Sequence, residues 1–320
     1  MYNDNTMQAG LALIEKAWTS GLSSSDAGSV LLQPVIDTVI PIMADYESPA
    51  RQNIPRKPGA GSAYKGVQAT PGNTPWAGVT DTDTIAVDQS SYAALDISYK
   101  TLAATKGKVT RFLQATGRSY IDVLLEEMEV KMYGFQDGYE YWLINGVSST
   151  TQIDGLQVLI PSSQEVLVTT TAGGDDLTLA KMDEFMDKGK TLKLMFMSYR
   201  TRRELNALLQ STQRYVNLQE IKGGFKVLSY NGVPILISTQ MLDTQTFDGS
   251  GVTSQTGGTA SSILGIDTNH VFVSELTPVT SFPCAKTTSQ YDEFEIFSDF
   301  ALVVRNYLRT AKLTGIWDRP

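Results

Sequence analysis

The chain has 320 residues, 42% of them hydrophobic and 19% charged, with a formal net charge of −8. That length can bury a large core in one to three domains, and the acidic balance argues against nucleic-acid binding through the general surface, where phosphate neutralisation needs basic groups. A single cysteine, Cys284, excludes an intrachain disulfide and a multi-cysteine metal site, and no apolar run reaches the ~18 residues that cross a bilayer as a helix.

Met1–Gly10 lacks the basic start of a signal peptide, so a reducing cytoplasm, or exit from the cell without passing a secretion pathway, is expected. Cys284 then reads as a buried small hydrophobe. The first predicted helix is Thr6–Ser20, where Met7, Leu11, Ile14 and Trp18 share one face. The Ser/Gly cluster Gly21–Ser29 reads as a hinge. Val30–Met43 is apolar and broken by Pro34 and Pro41, which suggests a short helix or an extended arm.

Ser48–Thr80 is the most unusual stretch. It contains no Asp or Glu but carries Arg51, Arg56, Lys57 and Lys65, with five of the twelve prolines. Ile54, Tyr64, Val67, Trp76 and Val79 are too few to bury it. A long segment of this kind, without secondary structure of its own, either stays disordered or finds its core on another molecule. The rest of the chain is more acidic than the total, so a basic arm on an acidic body suggests attraction between copies. Tyr92–Leu102 follows with strict alternation, Leu95, Ile97 and Tyr99 against Asp96, Ser98 and Lys100, as in a half-buried strand. Paired with Thr84–Val87 it could form a two-stranded ribbon, which is marginal in water by itself.

Arg118–Leu143 carries the strongest helical pattern. Ile121, Leu124, Leu125, Met128, Met132, Phe135, Tyr139 and Trp142 line one face, with Ser119 as N-cap and Asn145-Gly146 as stop. About 25 residues give a rod of roughly 38 Å. Gly134 and Gly138 lie inside it, and Gly138 could mark a close approach or a bend.

Beyond Asp154 the pattern alternates between strands and helices. A strand is predicted at Gly155–Ile160, a loop at Thr169–Asp176, and a Thr178-capped helix carrying Leu179, Met182, Phe185 and Met186 to Gly189. Next come a buried strand at Leu192–Met197 and a helix from Ser198 through Leu205, Leu208 and Leu209. Phe225–Ser238 reads as a hairpin turning at Asn231-Gly232. Thr244–Ser262 is Gly/Ser/Thr-rich and reads as a mobile surface loop. Strands are predicted at Ile263–Ile266, Val271–Ser274, Phe294–Phe297 and Ala301–Leu308.

Catalytic signatures are sparse. The one histidine, His270, precedes an apolar strand and reads as a strand-edge residue, and there is no GxSxG elbow, Walker A loop or GxGxxG. One His and one Cys cannot build a zinc or iron site, so no cofactor or metal is expected. Glu126-Glu127-Glu129, Asp175-Asp176 and Asp292-Glu293-Glu295 read as solvated faces. Arg200, Arg202, Arg203 and Arg214 read as a surface cluster, with an anion or a neighbouring subunit as the sharper alternative.

The order of parts carries a resemblance. An N-terminal arm and a basic Pro/Gly-rich loop lead to the return strand YAALDISYKTLAATKGKVT. A long helix, EYWLINGVSSTTQIDGLQVLI, YRTRRELNALLQ and YNGVPILIS follow, then FALVVRNYLRTAKLTGI. This sequence resembles the major capsid proteins of tailed phages, the Hong Kong 97 fold, with the NGV…DGL step and the NGVPI hairpin most telling. The resemblance implies an α+β fold with an N-terminal arm at 1–47, an extension loop at 48–101, a peripheral domain at 102–151 and 284–320 containing the spine helix, and an axial domain at 152–283. It implies a non-enzymatic shell protein of the virion capsid, assembled in the host cytoplasm from hexamers and pentamers around double-stranded DNA, with no membrane. The implied partners are further copies of the chain, a separate scaffolding protein, a portal and decoration proteins. Arg51, Arg56, Lys57, Lys65 and Trp76 become the candidate inter-subunit contacts, Lys57 and Lys65 also being candidates by position for a crosslink known in some relatives. An encapsulin-like compartment enclosing protein cargo shares the fold and is the alternative.

Overall fold

The computed structural model describes residues 48–70, 80–82, 90–117, 122–211, 218–221, 225–285 and 290–317. The predicted elements at Thr6–Ser20, Gly21–Ser29, Val30–Met43 and Thr84–Val87, with Ser119, Trp76 and Arg214, lie outside the described residues.

The basic stretch has secondary structure of its own, contrary to expectation. Pro49–Asn53 forms a helical turn (α1), Arg56–Pro58 a short strand (β1) and Ala63–Thr70 a longer one (β2). Pro49 sits at the start of α1, where a missing N–H costs nothing. Ala50 and Ile54 are buried in the chain's own core. Ser91–Ser98 (β3) returns antiparallel to β2 in the register Ala63↔Ser98 to Thr70↔Ser91. Among the described residues the return strand therefore pairs with the basic stretch itself. Lys100–Ala103 (β4) and Gly107–Thr110 (β5) continue into the body, followed by helix α2, Arg111–Gly117.

The long helix, α3, spans Val123–Asn145. Its cap is Asp122, whose side chain accepts from the amides of Leu124 and Leu125 at 3.2 and 3.3 Å. The helix runs through Gly134 and Gly138, and a Cβ at either would meet nothing within 4 Å. Gly138 is thus not a site of close approach. The close approach lies just past the helix end: the Gly155 amide donates to the Gly146 carbonyl at 2.8 Å, and a Cβ on either glycine would strike backbone at 2.5 Å. This contact is the physical content of the NGV…DGL step.

Gly155–Ile160 is not a strand. Leu156–Leu159 forms a single helical turn, α4, with Leu156 and Ile160 both buried four residues apart. A short apolar run cannot be assigned by periodicity alone, and here tertiary burial selects the turn. Glu165–Leu167 (β6), Leu179–Gly189 (α5), Leu194–Met197 (β7) and Tyr199–Ser211 (α6) follow. Thr178 caps α5, its side chain accepting from the Lys181 amide. Leu218–Ile221 (β8), Phe225–Tyr230 (β9) and Val233–Ile237 (β10) come next. The hairpin between β9 and β10 turns at Asn231 (φ 49°) and Gly232 (φ 81°), both in the left-handed region a type I′ turn requires.

Thr244–Ser262 is not a free loop. It holds the small hairpin Thr246–Phe247 (β11) and Val252–Ser254 (β12), and its end belongs to Ala260–Ile266 (β13). Gln245, Ser261 and Ser262 are buried, and Gly258 lies against the Gln245 backbone where no Cβ would fit. The remaining strands are Val271–Pro283 (β14), Tyr291–Val304 (β15) and Thr310–Trp317 (β16). The two predicted C-terminal strands are therefore one, and β16 is an additional element. Its two faces are both covered, so Thr310 and Thr314 are buried along with Ala311 and Leu313.

The seven-stranded sheet has the order β6-β16-β13-β7-β10-β9-β8, and a second sheet runs β1-β14-β15-β4 with β5 also on β15. The chain crosses between them, so the expected boundaries do not follow the sheets. Val271–Pro283 joins the second sheet and Thr310–Trp317 the first. On one face of the seven-stranded sheet, Met182 and Phe185 of α5 and Leu205 and Leu209 of α6 pack with Met195, Met197 and Ile263. On the other, Phe135, Tyr139, Leu143 and Ile144 of α3 pack with Leu194, Phe196 and Leu264, and reach Val273 and Phe300 of the second sheet. The alternate residues of β7 serve opposite cores, which explains its unbroken apolar run.

Candidate functional site

The β2–β3 ribbon and the segment that anchors it contain four of the five residues singled out above. The anchor is built from residues distant in sequence. The amides of Ala50 and Arg51 donate to Glu140 of α3, both at 2.9 Å. The Arg51 guanidinium lies 5.4 Å from the Tyr139 ring centroid. Burial lowers its pKa, against the pull of nearby carboxylates, yet an arginine remains charged. The Tyr139 hydroxyl donates to Glu275 at 3.0 Å and the ring stacks on Phe300 at 4.0 Å. Burial pushes the Tyr139 phenol far up, so it acts as a neutral donor.

Glu275 also meets Arg56 at 3.5 Å, a partly exposed pair worth at most about 1 kcal/mol. Lys57 sits 4.1 Å above the Phe272 ring. Arg51, Arg56 and Lys57 therefore all engage the body of their own chain. Lys65 does not: it is exposed on the ribbon, opposite Asp96.

The ribbon has two unlike faces. Tyr64 and Gln68 turn toward the body, where Arg305 donates to the Tyr64 hydroxyl from Nε at 3.1 Å and from a terminal nitrogen at 2.9 Å. Gln68 donates to the Arg305 carbonyl at 2.9 Å, and Tyr64 meets Phe272 edge-on at 5.6 Å. The opposite face carries Lys65, Val67 and Ala69 with their partners Asp96, Ala94 and Tyr92. All six are exposed, Val67 at 72% and Tyr92 at 71%.

Between anchor and ribbon the two legs meet at Gly59–Ser62 and Tyr99. The Tyr99 and Ser274 hydroxyls share a hydrogen bond of 2.9 Å, and a Cβ on Gly59 would strike the Tyr99 ring. An open groove of about 500 Å³ lies here, lined by residues 58–63 and by Tyr64, Lys65, Tyr99 and Ser274.

The other candidates stay apart from this arrangement. On α6, Arg200 reaches Asp243 at 3.9 Å and Arg202 packs on Tyr199 at 5.4 Å, beside Arg203 in a shallow groove. His270 sits at the start of β14, as its sequence context suggests. Cys284 is half-buried, not buried, near Lys106, whose pKa is raised by Cys284 and then by Glu295. Among the described residues no group of three His, Cys, Asp or Glu could hold a metal, and no helix is long and apolar enough to cross a membrane.

The sequence pattern did not single out Glu140, Glu275 or Arg305, and named Tyr64 only among the few apolar residues of the basic stretch. Glu140 alone carries a signal. It follows Tyr139 where the end of α3 is apolar on more than one side, through Leu143 and Ile144, so a carboxylate there is set among core residues.

Residues 85–316 match the family model of the SU10 major capsid protein. The chain belongs to the SU10 major capsid protein family. It is a phage major capsid protein, a structural component of the virion shell and not an enzyme. No curated protein matches the sequence. Among solved structures, the holo-SrpI encapsulin complex from Synechococcus elongatus is similar with a TM-score of 0.70 at 13% identity, covering 93% of this chain and 98% of that one. The capsid of the native GTA particle gives 0.66 at 14% identity, with 92% and 99% covered. The capsid of Myoviridae phage XM1 gives 0.59 at 14% identity, with 90% and 98% covered. At these identities the likeness is one of fold, the Hong Kong 97-like α+β architecture with its long helix. In this capsid protein the long helix is α3.

Proposed function

We propose that the β2–β3 ribbon is the extension loop of this capsid protein and that its outer face, Lys65, Val67, Ala69, Tyr92, Ala94 and Asp96, lies on a neighbouring copy in the shell. The supporting observation is the exposure of that whole face, Val67 and Tyr92 included. A two-stranded ribbon is marginal by itself in water, and a surface on another copy would give it a core. Many modest contacts of this kind suit a shell that must close without trapping errors. On sheet membership, the peripheral domain comprises the second sheet with α2 and α3, and the axial domain the seven-stranded sheet with α5 and α6. The copies form hexamers and pentamers around double-stranded DNA, on a separate scaffolding protein, with a portal and decoration proteins completing the particle.

The test is excision of residues 63–97, joined by a short flexible linker. The cut spares Ala50, Ile54 and β1, which the body needs. Soluble, folded subunits that form no closed particles in electron micrographs are expected; normal shells from the excised chain would sink the proposal. The likeness to an encapsulin favours one alternative, a compartment for protein cargo. Nuclease-protected double-stranded DNA inside purified particles, rather than a co-purifying enzyme, decides for the phage shell.

A further inference from the structure

Glu140 is wholly buried, yet both of its carboxylate oxygens are used. One accepts from the Ala50 amide at 2.9 Å and from the Ser238 hydroxyl at 3.0 Å; the other accepts from the Arg51 amide at 2.9 Å. The three donors come from two places, α1 at the ribbon's anchor and Ser238, the residue that follows β10. The need for this arrangement is local. Ser48, at the cap position of α1, makes no side-chain capping hydrogen bond, and Pro49 has no N–H to give. The amides of Ala50 and Arg51 are then the first donors of the turn, and they are satisfied by a carboxylate some 90 positions away. The surrounding charges are Arg51 over Tyr139, Asp137 one turn earlier held by the Gln240 side chain, and Glu275 paired with Arg56.

We propose that Glu140 is a positioning residue for shell assembly: it locks α1, α3 and the end of β10 into one junction and so sets the direction in which the ribbon leaves the body. The inference rests on the ribbon docking on a neighbour, since only then does its direction matter to the shell.

Glu140→Gln tests it. Glutamine keeps the shape but puts an NH₂ where one carboxylate oxygen accepts an amide. In the full-length soluble subunit, hydrogen exchange of the Ala50 and Arg51 amides should accelerate about tenfold or more, while β7 and β13 exchange as in wild type. The same protein should assemble into particles of mixed diameter or open fragments. Unchanged exchange at Ala50 and Arg51 would overturn the lock, and uniform wild-type particles despite faster exchange would overturn its role in assembly. If Glu140→Gln does not fold, Ser238→Ala removes only one of the three donors and is read out in the same way. The ribbon-excised chain separates the two proposals, because the exchange result stands whether or not that chain forms shells.

Discussion

Burying a carboxylate is expensive unless its oxygens are satisfied, and Glu140 shows both sides of that rule. Burial pushes its carboxyl above the ordinary range, while the hydrogen bonds from Ala50, Arg51 and Ser238 act in the opposite direction. Its native pKa is raised, so the folded chain holds the Glu140 proton more firmly than the unfolded chain does. The corresponding stability is fully present below the unfolded value and is lost as pH rises through the folded one. Glutamine cannot titrate. The stability of wild type relative to Glu140→Gln should therefore fall as pH rises from about 4 upward, measured as the difference in urea midpoints. A difference that grows with pH would mean that the hydrogen bonds outweigh burial. Asp137, also raised by burial, is present in both proteins, and its like charge adds to the upward shift of Glu140 that the comparison reads.

At the scale of elements, the helix end of α3 and the turn α4 are held by backbone touching backbone. Neither Gly146 nor Gly155 has room for a Cβ, the blocking atoms being main-chain groups that cannot rotate away. Gly155→Ala should cost about 2–3 kcal/mol by overpacking, seen as a lower denaturant midpoint with an unchanged slope; a cost within ~0.5 kcal/mol would show that the junction relaxes freely. The same elements show what a sequence makes legible. Thr178, Asn231-Gly232 and the stripe on α3 act on their immediate neighbours, so their consequences can be read locally. The return strand, the buried strand before Ser198 and the family resemblance were legible for the same reason. The turn α4, the buried end of Thr244–Ser262 and the strand β16 were not, because burial from distant segments determines them. The candidate site divides in the same way. Its basic residues stand out by composition, but their partners Glu140, Glu275 and Phe272 lie far along the chain, so the engagement of Arg51, Arg56 and Lys57 with their own body had no local mark.

For the whole molecule, charge acts across copies as well as within one. Each subunit carries −8, and with Arg56 and Lys57 already engaged at home the basic stretch offers a neighbour less attraction than its composition suggests. Repulsion between bodies should then dominate at low ionic strength. Raising salt from about 0.01 M to 0.15 M shortens the screening length from ~30 to ~8 Å and should lower the subunit concentration at which light scattering detects shells. Weaker assembly over that range would instead show that opposite charges across the interface prevail.

The position of β16 has a consequence for how the protein is made. This strand lies inside the seven-stranded sheet, between β6 and β13, and Thr314 meets Glu165 across 149 residues. Until the ribosome has delivered β16, β6 has no place to pair and β13 keeps an open edge. Pairings of such sequence separation are slow, because a large loop must close before any contact rewards it. The ribbon, by contrast, is complete long before. A nascent chain therefore displays the ribbon before the seven-stranded sheet is complete, and under the docking role proposed above that delay is a window in which shielding the ribbon would raise the yield of correct shells.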